Sequence, residues 1–297
     1  MSGVSLTSLT PGSVSASQEA KRTKINKPVP SSGELIPVIG MGTWITFNVG
    51  AGQRLRDKRI EVLERFFELG GGMVDSSPMY GSAQSVVGEG LRKLDYPGSV
   101  FSADKIWTNS TAEGVTQFKE MQQLWGLTKL DLVQVHNLVN WQPHLETLQE
   151  LKAQGLINYI GITTSHGSRH QLFEQILKSQ PLDFIQLTYN ITHREVEQYL
   201  LPLAKERGVA VIANRPLDGG NLFNHVQGQP LPDWAAEYDC QNWAQLFLKF
   251  IVSHPAVTCA IPATSKVAHM EENMGACYGV LPDAAGRKKM SDYLASI

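Results

Sequence analysis

The chain has 297 residues, 42% of them hydrophobic and 18% charged, with a formal net charge of −2. That balance is ordinary for a globular enzyme, and without a dense basic block it argues against nucleic acid and anionic membranes as partners. No run of ~18 apolar residues reads as a membrane span, and the three cysteines, Cys240, Cys259 and Cys277, match no metal-ligand spacing. They read as small buried hydrophobes, and no metal is expected.

Length allows two domains at ~150 residues each, but α/β barrels fill ~250 residues as one. Residues 1–33 are rich in Ser, Thr, Pro and Gly and read as a flexible tail. Within it, Val14-Ser15-Ala16 resembles a small-residue cleavage site, and Leu6 and Leu9 could end an apolar segment. A trimmed export signal, and with it a periplasmic location, therefore stands beside a plain tail on a cytoplasmic protein.

From residue 34 to 297 apolar runs alternate with amphipathic stretches. IPVIGMGTW, 36–44, reads as the first strand, and Lys58–Leu69 has helical spacing at Ile60, Val62, Leu63, Phe66 and Phe67. MVDSS then precedes a helix over Gln84–Leu94; SVFSADKIW precedes one over Glu113–Leu127; LDLVQVH precedes HLETLQELKAQGL. YIGIT leads to a helix over His170–Lys178, DFIQLTYN to Glu195–Arg207, and GVAVIANRP to a long segment ending in NWAQLFLKFIVSHP. VTCAIPAT leads to Ala268–Tyr278, and a final helix covers Asp283–Leu294. Continuous apolar strands suit a parallel sheet covered on both faces. Eight such units in order predict a (β/α)8 TIM barrel rather than an open sheet, because the G-x-G-x-x-G turn of the open dinucleotide fold is missing after strand one.

Active sites of such barrels lie at the C-terminal ends of the strands. Asp75 ends strand two, Tyr80 follows on its loop, Lys105 ends strand three and His136 ends strand four. A free phenol is a poor acid near neutrality. An ammonium beside it lowers its pKa, a carboxylate holds that ammonium, and a histidine can orient a carbonyl oxygen. Together they form a general acid for carbonyl reduction, and the hydride must come from a nicotinamide.

From about Glu34 to Leu294 the chain resembles the aldo-keto reductases, through IGMGTW, VDSSPMYGSAQSVVGEGL, DKIW, DLVQVHNL, INYIGIT and IPATSKVAHMEEN. The resemblance implies a barrel that reduces small-molecule carbonyls, or oxidises alcohols, with NADP(H), NAD(H) being possible. It implies a catalytic set of Asp75, Tyr80, Lys105 and His136. It places Gly42, Thr43, Gln186, Pro216, Leu217, Glu272 and Asn273 around the cofactor and Trp44, Trp107 and Trp141 around the substrate. Several positions depart from the family pattern. Thr163-Thr164 stands where Ser-Asn holds the carboxamide, Asn214 where an aromatic ring stacks on the nicotinamide, and Arg215 follows as a pyrophosphate candidate. Ala263 and His269 stand where Lys and Arg grip the 2′-phosphate, which leaves Thr264, Ser265 and Lys266 as phosphate contacts. The missing C-terminal loop implies an open site, and no protein partner is inferred.

Three functions follow: a nicotinamide-dependent reductase; a barrel running acid/base isomerisation or elimination without nicotinamide; or a barrel that binds nicotinamide without turnover.

Overall fold

The computed structural model describes residues 23–165 and 167–297. The export-signal reading at Val14-Ser15-Ala16 lies outside the described residues. Eight parallel strands run around a barrel: β3 (Met41–Gly42), β4 (Met73–Asp75), β5 (Phe101–Ile106), β6 (Leu130–His136), β7 (Ile157–Thr163), β8 (Phe184–Thr188), β9 (Ala210–Asn214) and β10 (Cys259–Ala260). Ahead of them, β1 (Asn26–Pro28) and β2 (Leu35–Pro37) pair antiparallel. The helices outside are α1 (Gln53–Glu68), α2 (Ala83–Lys93), α3 (Thr111–Trp125), α4 (Trp141–Ala153), α5 (His170–Ser179), α6 (Leu200–Glu206), α7 (Asn221–His225), α8 (Trp243–Val252), α9 (Val267–Gly275) and α10 (Ala284–Ser296). The (β/α)8 barrel read from the alternating pattern is the observed fold. No helix among the described residues is long and apolar enough to cross a membrane.

The expected boundary at residue 33 is corrected by this hairpin. Residues 26–28 form a strand and belong to the folded body. A turn closes it, with the Gly33 N–H donating to the Val29 carbonyl at 2.8 Å. Each strand holds 3 residues, too few to show a period against a Ser/Pro background. The expected first strand over 36–44 divides accordingly: Leu35–Pro37 goes to the hairpin and only Met41–Gly42 enters the barrel. Val29 and Ile36 are buried with Phe101, Leu132, Tyr159 and Phe184 in one apolar cluster, and so the hairpin plugs the barrel floor. The Tyr159 hydroxyl is 2.7 Å from Ser32 Oγ and donates to Glu34 Oε2 at 2.5 Å. Lys27 also lies here, its ammonium donating to the carbonyls of Val252, His254 and Val257 at 2.7, 3.0 and 2.6 Å.

The larger cluster lies between strands and helices, with Val62, Leu63 and Phe66 of α1 facing inward. Capping marks several helix starts: Ser110 accepts the Glu113 N–H, Asn242 that of Gln245, and Asp283 that of Gly286. The three cysteines are free and buried, as small hydrophobes would be.

Closure between the first and last barrel strands is brief. Isolated parallel bridges join Ile39 to Ala260 and Gly42 to Ala263. The backbones approach so closely that a Cβ on Gly40 would sit 2.9 Å from the Met73 carbonyl, and one on Gly42 would sit 2.9 Å from that of Ile261. Gly42 is required by this seam, and Gly40 by the approach of β4 on one side and of Cys259 and Ile261 on the other. Arg59 of α1 straps it from outside, donating to the Thr46 carbonyl at 2.6 Å and the Ser265 carbonyl at 3.1 Å.

Candidate active site

Strand register brings the polar ends together. His136 pairs with Thr163, and Thr163 with Gln186, on one line across three strands. Asp75 ends β4 and is 2% exposed, while Lys105 on β5 is fully buried. The Lys105 ammonium donates to Asp75 Oδ2 at 2.6 Å and to the Ser76 carbonyl at 2.7 Å. Asp75 Oδ1 accepts from Gln186 Nε2 at 2.8 Å. Burial alone would pull the lysine pKa down. The Asp75 charge, helped by Tyr80 and Asp104, reverses this and holds it above the ordinary lysine value.

Tyr80 closes a 3₁₀ turn, Pro78–Tyr80, capped by Ser77. Gly81 follows with φ 61°, and a Cβ there would meet the Asn48 side chain at 2.4 Å, so this position requires glycine. The Lys105 ammonium sits 5.2 Å from the centre of the Tyr80 ring, and the His136 ring meets it edge-on at 5.8 Å. The expected lowering of the phenol pKa is corrected in one respect. Burial raises it, Lys105 pulls it down, and burial wins, leaving the phenol above its ordinary value. His136 is pushed down to about 3, first by burial and then by Lys105, so its ring is neutral at working pH. Its Nδ1 lies 2.8 Å from Ser77 Oγ, and that oxygen accepts the Met79 N–H at 3.2 Å. We assign the Ser77 hydroxyl as the donor to Nδ1, which leaves the ring proton on Nε2.

Asp75, Tyr80 and His136 line a cavity of about 1090 Å³. It is larger than a small substrate needs alone, and it extends from Asp75, Tyr80 and His136 to Thr264, Glu272 and Asn273. Gly42, Thr43, Trp44, Thr163 and Gln186 line it, as do Asn214, Arg215, Pro216 and Leu217.

Five expected contacts fall elsewhere. Trp107 is exposed but does not line the cavity, because the Gln117 side chain binds its N–H and carbonyl at 2.8 and 3.0 Å and holds that stretch aside. Thr164 is fully buried behind the lining, its backbone tied to Gln186 and Asn214; Ser165 reaches the cavity instead. Ser265 is absent from the lining with its carbonyl taken by Arg59, and Lys266 stands exposed at the start of α9. Trp141, at the start of α4, packs against the core.

Asn214, where a stacking ring was expected, is held as part of an amide lattice. It donates to the Thr164 carbonyl at 3.1 Å and accepts from the Thr188 hydroxyl at 2.9 Å. Ala263 and His269 line the cavity near Thr264 and Asn273, so this end lacks the expected cations. Sequence reading missed Ser76, Ser77 and Asp104. Ser77 was readable as a hydroxyl between Asp75 and Tyr80. Asp104 is buried behind the sheet, with donors from Gln84, Trp125 and the Lys105 N–H, and its pKa is pushed up to about 6 by burial. Among the described residues no group of His, Cys, Asp and Glu is set to hold a metal ion.

Comparison with known proteins matches residues 38–285 to the model of the Aldo/keto reductase family. The chain is 27% identical over 255 residues to methylglyoxal reductase YeaE of Escherichia coli, covering 83% of this chain and 88% of that protein. It is 26% identical to the NADH-specific methylglyoxal reductase of the same organism, over 70% and 72% of the two chains. Among solved structures, the holo form of an aldo-keto reductase from Bacillus halodurans superposes with a TM-score of 0.75 at 21% identity, covering 92% and 96%. A Klebsiella pneumoniae aldo-keto reductase in complex with NADPH gives 0.74 at 22%, covering 91% and 95%.

Proposed function

Since the chain belongs to the aldo/keto reductase family, we propose that it reduces small aldehydes or ketones to alcohols with Tyr80 as general acid. The observation that carries this is the buried Asp75–Lys105 pair under a phenol at the wall of the cavity. Asp75 fixes the ammonium. The ammonium faces the phenol and stabilises the phenolate left when Tyr80 gives its proton to the carbonyl oxygen. His136, neutral and protonated on Nε2, donates to that oxygen and orients it. A phenol held above its ordinary pKa stays protonated at working pH, as a general acid must.

The cavity's length and its lattice of amides fit a nicotinamide nucleotide. When bound, the nucleotide supplies the hydride. Thr163, Gln186 and Asn214 would hold its carboxamide end, and Thr264, Glu272 and Asn273 its adenosine end. With Lys266 exposed and outside the lining and, among the described residues, no other lysine or arginine at the Thr264 end of the cavity, discrimination for the 2′-phosphate is weak, and the site takes NADP(H) and NAD(H) alike. Support comes from an NADH-specific relative and from a structural neighbour that binds NADPH.

Titration of both nucleotides by tryptophan fluorescence, followed by turnover over an aldehyde panel, tests this reading. The expected affinities differ by less than about tenfold, set against the ~1.5–3 kcal/mol of each missing charged contact. A preference beyond about a hundredfold would sink the weak discrimination. No saturable binding below millimolar would return the site to acid/base chemistry without nicotinamide.

A further inference from the structure

Two loops meet across the cavity mouth, both with backbones that ordinary side chains avoid. Ile45, next to Trp44, has φ 61°, and Arg215 has φ 48°. Left-handed φ at a β-branched or long side chain persists only where the surroundings over-determine it, and such positions cluster at ligand clamps. Here the surroundings do so. Asn190, fully buried, donates its side-chain amide to the Arg215 carbonyl at 2.9 Å, and the Asp218 N–H donates to the same oxygen at 3.0 Å. On the facing loop the Thr46 N–H donates to the Trp44 carbonyl at 2.6 Å.

The result is a guanidinium set 5.8 Å from the Trp44 ring centre, with both residues lining the cavity. Among the described residues no carboxylate pairs with it. Asp218, on the same loop, accepts from Asn221 and lies 4.0 Å from His193 instead. Asp75 is committed to Lys105 and Gln186. The tetrad therefore contributes little net charge, since its ion pair cancels and His136 is neutral. Arg215 is left without a direct carboxylate partner on a cavity wall that it shares with Asp218 and Glu272. Around it Trp44 is 44% exposed, Ile45 64% and Met79 40%. An apolar mouth with one planar cationic fork recognises a molecule with an apolar body and an anionic oxygen group.

We infer that the Arg215–Trp44 clasp binds a carboxylate of the substrate itself, so that the preferred substrates are aldehydes or ketones carrying an anionic group. This rests on the reductase reading. The alternative owner of the anion is the cofactor's pyrophosphate. The substrate is favoured because the guanidinium rests on Trp44, whose neighbour Thr43 donates to the Asp75 carbonyl at 2.9 Å and so ties that loop to the catalytic strand.

The test compares kcat/KM for 4-oxobutanoate and butanal, which present one aldehyde with and without a carboxylate. The wild type is expected to prefer 4-oxobutanoate. In Arg215→Ala that ratio falls by roughly 10- to 100-fold, the range of a lost charged hydrogen bond. Arg215→Lys keeps part of it, and added salt erodes it in the wild type. A wild type that prefers butanal, or a ratio unmoved in Arg215→Ala, overturns the inference. Weakened nucleotide binding in Arg215→Ala with an unchanged ratio assigns the guanidinium to the pyrophosphate and overturns it equally. Failure of the wild type to reduce either aldehyde strikes the reductase reading instead.

Discussion

The barrel holds a lysine near each end, one fully buried and one half-buried, and the two behave oppositely. Lys105 at the rim is fully buried, yet its pKa stands above the ordinary value, because Asp75 lies at 2.6 Å. Lys27 at the floor donates to three backbone carbonyls, and its pKa falls from 10.5 to about 8, by burial first and the Arg287 charge second. Carbonyl dipoles satisfy an ammonium's hydrogen bonds without repaying its desolvation, whereas a carboxylate does both. The same side chain is thus an anchored charge where chemistry is proposed and a more easily deprotonated ammonium where the fold needs only a brace.

Three substitutions probe this contrast, in order of expected effect. Tyr80→Phe removes the acid that Lys105 serves, and kcat for aldehyde reduction should fall by ~10²–10⁴, the usual worth of a positioned acid. Nucleotide affinity should hold within about threefold by fluorescence titration. Unchanged turnover would remove Tyr80 from the chemistry.

Asp75→Asn should make Lys105 resemble Lys27. Breaking a buried pair costs about 3–5 kcal/mol of stability, read from urea unfolding. Activity that depends on the charged ammonium is present below its pKa and lost as pH rises through it. In Asp75→Asn the falling limb of the pH–rate profile should therefore move down toward the value of about 8 held by Lys27. A limb that stays put would mean that Asp75 does not hold the charge.

Lys27→Met gives the smallest and most specific readout. The folded pKa of Lys27 lies below its unfolded value, so between about 8 and 10.5 the unfolded chain binds the extra proton. Wild-type stability relative to Lys27→Met should rise by up to about 3 kcal/mol as pH climbs through that window. A flat difference would show that the floor ammonium is not desolvated.

Barrel order and the four rim residues were legible because parallel strands write themselves as apolar runs, and Asp75, Lys105 and His136 each close one while Tyr80 follows on the loop. The hairpin was not, since Asn26–Pro28 and Leu35–Pro37 are too short for a period and their burial comes from the barrel above them. Which side of a strand end faces the cavity was equally hidden. Thr164 and Ser165 are neighbours, yet only the serine lines the wall, and a shift of one residue reverses the face. Arg215 was visible as a residue but not as a clasp, because Trp44 lies far away in the chain and meets it only across the folded mouth. The Ser77–His136 contact likewise joins distant segments.

The seam between β3 and β10 carries a final consequence. Each of those strands holds 2 residues, against 7 in each of β6 and β7, and part of the hold comes from Arg59 reaching in from α1. A hoop yields at its weakest joint, so slack in this one would appear at the doorway between Trp44 and Thr264. The strands bearing Lys105 and His136 would keep their spacing while the entrance breathes.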